Sequence, residues 1–289
     1  MFTPLRDAFL KGIKKVCNCK SRNASTSPKL KDRYTHQEQM IKIGEWNINY
    51  VKVGNGPHTV LCVPGPLGTI WTHLKGQVEG FDRDKFTIVA LDPAGYGKSR
   101  PPLRDFPVNF YLRDALITHE FMKSLEIPKY SLLGWSDGGI TGMILAAKYP
   151  EAMNKLVVWG ASAFFLPHEI EIYRNKMNIN AWSAGIKGQM IDFYGEELFT
   201  EYFHKWTEGI DNVYKTKNGN ICTDYLAYIR CPTLVLAGGK DAVVDSVHPS
   251  HLQVQIKDAR LHLYPEGKHD IHITHTEDFN KRVEEFLQG

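Results

Sequence analysis

The chain has 289 residues, 43% hydrophobic and 23% charged, which fits a globular domain with a full core and excludes a low-complexity or fibrous chain. The net charge is +3, but residues 1–33 carry nine Lys/Arg against two acids, so the remainder is mildly acidic and lacks the basic footprint of a nucleic-acid surface. No apolar run reaches the length of a membrane span. The five cysteines (Cys17, Cys19, Cys62, Cys222 and Cys231) form no C-x-x-C pair or zinc-spaced cluster, and their odd number points to a reducing compartment.

Residues 1–38 form a basic arm. Phe2, Leu5, Phe9, Ile13 and Val16 recur at helical spacing, with Arg6, Lys11, Lys14 and Lys15 interleaved and a Ser-rich stretch behind them. This is the pattern of a mitochondrial transit peptide, with Asp7 counting against it. Two other readings stand beside it. Acylation at Cys17 and Cys19 would hold the chain at a membrane surface as a peripheral protein. A disordered tail would leave it cytoplasmic.

From residue 39 the pattern becomes regular. MIKIGEWNINYVKVG alternates and turns at Gly54-Asn55-Gly56, which predicts two antiparallel strands. Short apolar runs follow: TVLCV (59–63), FTIVAL (86–91), YSLL (130–133), KLVVW (155–159), TLVLA (233–237) and RLHLY (260–264). Most lack alternation, as strands buried on both faces do. Helical segments at 109–125, 140–149 and 277–287 lie between or after them. Alternating strand and helix predicts an α/β fold, with a mostly parallel eight-stranded sheet and helices on both faces. The alternation breaks over 166–230, which is rich in aromatic and charged residues. That part reads as a helical cap or lid inserted between two core segments, 39–165 and 231–289; a longer helical crossover is the plainer alternative.

YSLLGWSDGGITGMILAAKYP reads as strand, sharp turn, helix. Gly134, Ser136 and Gly138 fit G-x-S-x-G, in which a serine on a strained bend stands clear of the sheet. Its neighbours two residues away must be small, because strand and helix crowd there. The following helix aims its first amides at developing negative charge. The alternative is a Gly-rich turn with a helix-capping serine.

A nucleophilic serine needs a base, and the base needs an orienting acid, in chain order Ser, acid, His. Asp241 follows the strand TLVLA behind Gly238-Gly239, and His269 occupies the loop after the last strand. Both positions are carboxyl ends of strands, where open α/β sheets keep their sites. His262 lies within a strand, His272 and His275 lie beyond the loop, and Asp245 is the next candidate acid. Two backbone donors must serve the oxyanion. One is Asp137. The other comes from VPGPLGT (63–69), where Pro64 and Pro66 have no N–H, leaving Leu67 first and Gly68 next.

These motifs, with L-D-P-A-G-Y-G-K-S-R-P (91–101), G-G-K-D and E-G-K-H-D, resemble the α/β-hydrolase family over about residues 39–287. Within that family, L-L-G-W-S-D-G-G-I-T, W-G-A, D-G-N-I-C and R-L-H-L-x-P-E-G-K-H are similar to hydrolases of α-amino-acid esters. The resemblance implies a serine hydrolase with a mitochondrial address, and it departs at Pro66, where those relatives carry Met.

Asp137 supplies a physical reason for the same substrate class. Its side chain is expected to face the bound acyl group, repelling anions and attracting an ammonium, a contact worth roughly 1.5–3 kcal/mol. Asp137 as a helix cap only is the alternative. The expected protein is a monomer acting on a small-molecule ester through Ser136, Asp241 and His269, with no metal or organic cofactor and no nucleic-acid partner. Three alternatives remain: a carbon–carbon bond hydrolase, a thioester or thiolactone hydrolase with the same triad, and a non-catalytic binding protein of the same fold.

Overall fold

The computed structural model describes residues 37–176 and 184–289; the basic arm, with its transit-peptide reading, Cys17 and Cys19, lies outside the described residues. Eight strands form one sheet: β1 (Gln39–Ile43), β2 (Trp46–Val53), β3 (His58–Val63), β4 (Phe86–Leu91), β5 (Tyr130–Trp135), β6 (Met153–Trp159), β7 (Thr233–Gly238) and β8 (Ala259–Tyr264). Their order is β1-β2-β4-β3-β5-β6-β7-β8. β2 runs antiparallel to β1 and β4, and every later pairing is parallel. The fold is that of an α/β hydrolase.

The unbroken apolar runs behave as expected at the centre of the sheet, where every residue of β4 and β5 is buried. RLHLY differs. β8 is the sheet's edge strand, and Leu263 is 51% exposed. Apolar content alone does not separate an edge strand from a central one. The β1–β2 hairpin also turns earlier than the Gly54-Asn55-Gly56 signal suggests, at Gly44 and Glu45. Gly54-Asn55-Gly56 ends β2 and leads into β3 instead. A β-carbon on Gly56 would stand 2.0 Å from the Lys85 carbonyl carbon, so close approach to the start of β4 demands the glycine.

Helices connect the strands: α1 (Ile70–His73), α2 (Lys75–Gly80), α3 (Phe110–Ser124) and α4 (Asp137–Lys148) before β6, then α5 (Pro167–Lys176), α6 (Ala184–Tyr194), α7 (Glu196–Lys217) and α8 (Thr223–Leu226) between β6 and β7. α9 (Val247–Gln255) precedes β8, and α10 (Ile271–Thr274) and α11 (Thr276–Gln288) close the chain. None of the described helices is long and apolar enough to cross a membrane. α4 begins three residues before the apolar run at Ile140, because the Ser136 carbonyl accepts the Gly139 and Ile140 N–H groups. Glycine is a poor helix former, so this first turn depends on packing.

Asp92 fastens the connections near the carboxyl end of β4. One carboxylate oxygen accepts the Ile70 N–H at 2.8 Å, and the other accepts the Lys98 N–H at 2.8 Å and the Asn49 side-chain amide at 3.0 Å. Burial pushes this carboxyl up to about 6, while those donors pull it down.

A buried hydrogen-bonded pair ties α5 to α9. Both Glu169 oxygens lie 3.0 Å from His248 Nε2 and also accept the Asp245 and Leu166 N–H groups, each at 2.9 Å. Burial alone would raise the Glu169 pKa, but the His248 ring and the two amides outweigh it and hold the carboxyl below its usual range. The stability it contributes is therefore complete above the unfolded value near 4.5 and is lost as pH falls through the lower folded value. Glu169→Gln should cost about 1–3 kcal/mol near neutral pH, because it leaves the buried His248 ring and two backbone N–H groups with a poorer acceptor. It should also flatten the acid limb of stability against pH. Urea melts between pH 3 and 7 test both outcomes.

Candidate active site

Ser136 sits on the bend between β5 and α4 with φ 53° and ψ −119°, a backbone that side-chain-bearing residues rarely adopt. Its N–H donates to the Trp159 carbonyl at 2.9 Å, tying the bend to the end of β6. The crowding read from the sequence is severe. A β-carbon on Gly134 would lie 2.4 Å from the Gly138 carbonyl oxygen, and one on Gly138 would lie 2.2 Å from the Val63 carbonyl oxygen. A β-carbon on Gly65 would lie 3.3 Å from the Ser136 Cβ, so the loop after β3 runs beside the serine.

Asp241 and His269, on the loops after β7 and β8, are brought together. His269 Nδ1 and Asp241 Oδ2 are 2.8 Å apart, which leaves Nε2 as the second ring nitrogen. Asp241 Oδ1 accepts the Val243 and Val244 N–H groups at 2.8 and 3.1 Å. Burial would raise its pKa, but the His269 bond and these amides hold it below the usual carboxylate range.

The imidazole and the serine share neighbours. Trp135, immediately before Ser136, donates its indole N–H to the His269 carbonyl at 3.0 Å. A β-carbon on Gly160 would stand 2.8 Å from His269 Cε1, and Gly160 follows the Trp159 whose carbonyl holds the Ser136 N–H. Among the described residues Ser136 Oγ makes no hydrogen bond, and such bonds commonly tighten only when substrate arrives. Asp245 points elsewhere, to His168 at 3.1 Å. His272 is fully buried and accepts the Trp159 indole N–H at 2.9 Å, as packing rather than as part of the loop.

In the loop after β3, Leu67 has φ 56° and is buried. The Gly68 N–H is spent on the Gly65 carbonyl at 3.1 Å, which removes the second candidate donor. Among the described residues neither the Leu67 nor the Asp137 N–H has a protein acceptor. The Tyr194 hydroxyl donates to the Leu67 carbonyl at 2.7 Å and accepts the Gly97 N–H at 2.9 Å, so α6 holds this loop against the one after β4.

The Asp137 carboxylate is gripped at both oxygens. Oδ1 accepts the Tyr111 hydroxyl from α3 at 2.9 Å, and Oδ2 accepts the Trp206 indole N–H from α7 at 2.7 Å. Tyr173 packs edge-on against Trp206 at 5.3 Å. Burial pushes Asp137 up to about 6, and the Trp206 and Tyr111 donors and the nearby Arg104 charge oppose that rise. A cavity of about 20 Å³, room for one water molecule, is lined by Gly65, Tyr96, Arg104, Asp114 and Asp137. A larger one, about 230 Å³, lies against Gly160, Asp241 and α9. Tyr111, Trp206, Tyr194 and Arg104 were not singled out by sequence reasoning. The aromatic richness of 166–230 was the available signal, and it named no residue.

Comparison with known proteins places the chain among relatives. The alpha/beta hydrolase fold model matches residues 58–178. The chain is 42% identical over 248 residues to the serine hydrolase BPHL of Mus musculus and, equally, to that of Homo sapiens, covering 86% of this chain and 85% of each relative. Among solved structures, an alpha/beta hydrolase enzyme from a Medee basin deep-sea metagenome library superposes with a TM-score of 0.74 at 16% identity, over 87% of this chain and 98% of that one.

The strain at the bend has a measurable consequence. Ser136→Gly relieves the unfavourable φ and ψ, whereas Ser136→Ala keeps them. The glycine variant should be about 1–2 kcal/mol more stable than the alanine variant, less than the full strain because glycine also loosens the unfolded chain. Equal urea midpoints would show that the bend stores no strain.

Proposed function

The chain belongs to the α/β-hydrolase family and is a serine hydrolase, and on that premise we propose that it cleaves α-amino-acid esters through an acyl-enzyme intermediate. Ser136 is the nucleophile, His269 the general base and Asp241 the group that orients it. His269 Nε2 takes the Ser136 proton as Oγ attacks the ester carbonyl. Asp241 holds the tautomer with the proton on Nδ1 and stabilises the imidazolium. The negative oxygen of the tetrahedral intermediate accepts the Leu67 and Asp137 N–H groups, with the α4 N-terminus favouring the same charge. The imidazolium then protonates the leaving alkoxide. Water, deprotonated by His269, attacks the acyl-enzyme carbonyl, and the imidazolium returns that proton to Ser136 Oγ as the amino acid leaves.

The observation that carries the substrate class is the carboxylate directly after the serine, held at both oxygens by Tyr111 and Trp206. An ammonium on the acyl α-carbon is the natural partner for an anion so placed. The sequence resemblance to valacyclovir hydrolase (the biphenyl hydrolase-like protein) supports the same class. A 2-hydroxy-6-oxononadienedioate/2-hydroxy-6-oxononatrienedioate hydrolase of Paraburkholderia xenovorans, 24% identical, represents the carbon–carbon alternative. Dianionic substrates of that kind would be repelled by Asp137. A homocysteine-type thiolactone carries the same amine and would be attracted by Asp137 in the same way.

Ser136→Ala should lower kcat by about four to six orders of magnitude without loss of fold. Turnover near wild type in a clean preparation would remove the serine mechanism. For matched esters with and without the α-amine, Asp137→Ala should lower the ratio of kcat/KM values by about 10- to 150-fold; an unchanged ratio would mean that the carboxylate does not read the ammonium. In the wild type the same ratio should fall as pH drops through about 6, where Asp137 gains a proton and loses its charge. Taking the ratio cancels the titration of the catalytic base, which both esters share.

A further inference from the structure

Asp137 has a rival for its charge. Arg104 is buried at 3% exposure, and its guanidinium lies over the Tyr96 ring at 4.6 Å and the Phe106 ring at 5.2 Å. Arg104 and Asp137 line the same small cavity, and each favours the ionised form of the other. An uncompensated guanidinium there would serve as Asp137's own counterion, and the pocket would have no net charge to offer an incoming ammonium. Asp114 prevents this. Its carboxylate engages both terminal nitrogens of Arg104, at 3.0 Å for Nη1 and through a second, shorter contact to Nη2. A further Nη1 bond runs to the Ala94 carbonyl at 2.9 Å. The buried guanidinium and the two half-buried carboxylates then sum to a single negative charge.

We propose that Asp114, acting through Arg104, sets the net charge of the acyl pocket and so determines the preference for amino-bearing acyl groups. The inference rests on the reading of Asp137 as the receiver of the ammonium. Arg104 also holds the fold together, joining the loop after β4 to α3 through Ala94, Asp114 and an aromatic bed. Asp114 lets the fold keep that cation beside the acyl site without cancelling Asp137. It is a positioning residue, because it acts through its paired contacts with Arg104. In an environment of effective dielectric near 20, one uncompensated charge about 12 Å away changes the binding of an ammonium by roughly tenfold, and a nearer one by more.

The test uses charge arithmetic on the full-length protein, with kcat and KM measured for the matched amino and des-amino esters. Asp114→Asn should lower the amino to des-amino ratio of kcat/KM about tenfold, mainly through KM, while the des-amino ester shifts by less than about twofold. Asp114→Glu should restore much of the preference, and Asp114→Asn combined with Arg104→Gln should restore it by removing both charges. Arg104→Gln alone should raise the ratio, and it carries the test if Asp114→Asn does not yield folded protein. An unchanged ratio in Asp114→Asn, equal losses on both esters, or a fall in Arg104→Gln overturns the proposal. Asp137→Ala run in parallel separates the two failures. If it lowers the ratio while Asp114→Asn does not, only the role of Asp114 falls. If Asp137→Ala leaves the ratio unchanged, the ammonium reading falls and this inference with it.

Discussion

The bend at Ser136 is the constraint on which the rest of the site depends. A residue with a side chain is held at φ 53° where β5 ends and α4 begins, in a region of backbone space that costs of order 1–3 kcal/mol. The surroundings leave no easier choice. Val63 and Pro64 carbonyls press against Gly138, Gly138 presses against Gly134, and the Trp159 carbonyl fixes the serine N–H. The contacts come from neighbouring strands, their loops and the packing of α4 on β5, so the energy that holds the bend is the packing of the sheet and its helix. The half-buried serine, and the amides at the start of α4 that have no acceptor among the described residues, follow from that geometry.

The second feature is the way a carboxylate is kept beside the serine. Burial works against its charge, and the fold answers with donors rather than with a dedicated counterion. A tyrosine from α3 and a tryptophan from α7 reach it from different layers. Such donors lower the cost of ionisation while leaving the formal charge intact. A salt-bridged lysine or arginine in their place would have stabilised the anion and erased its field. Pairing Arg104 with Asp114 applies the same logic one step farther out.

The helices between β6 and β7 are coupled to the core by polar contacts as well as by apolar area. Tyr194 joins the Leu67 carbonyl to the Gly97 amide, Tyr202 donates to the Gly95 carbonyl, and Glu169 pairs with His248. The loop that carries the proposed second oxyanion donor is thus clamped by α6. Movement of these helices would be felt at the loop, which links the packing of this segment to the chemistry proposed at Ser136.

Much of this was legible in the sequence. Unbroken apolar runs identified strands buried on both faces, and the small residues around Ser136 identified the bend, because only glycine fits where backbones nearly touch. Asp241 and His269 could be chosen by their places after strands, since an open parallel sheet gathers its functional groups at one edge. Local pattern did not reveal which strand is an edge, why Gly54-Asn55-Gly56 is not the hairpin, or that the Gly68 amide is already spent. Nor did it name Tyr111, Trp206, Tyr194 or the Arg104–Asp114 pair, whose partners are separated along the chain by anything from 10 to 127 residues. Periodicity and turn chemistry are local, so the sequence by itself determined most of the elements and singled out the three side chains proposed to react. Which donors meet Asp137, and which charge offsets Arg104, depends on how helices from distant segments pack over the sheet, and only the tertiary structure decided that.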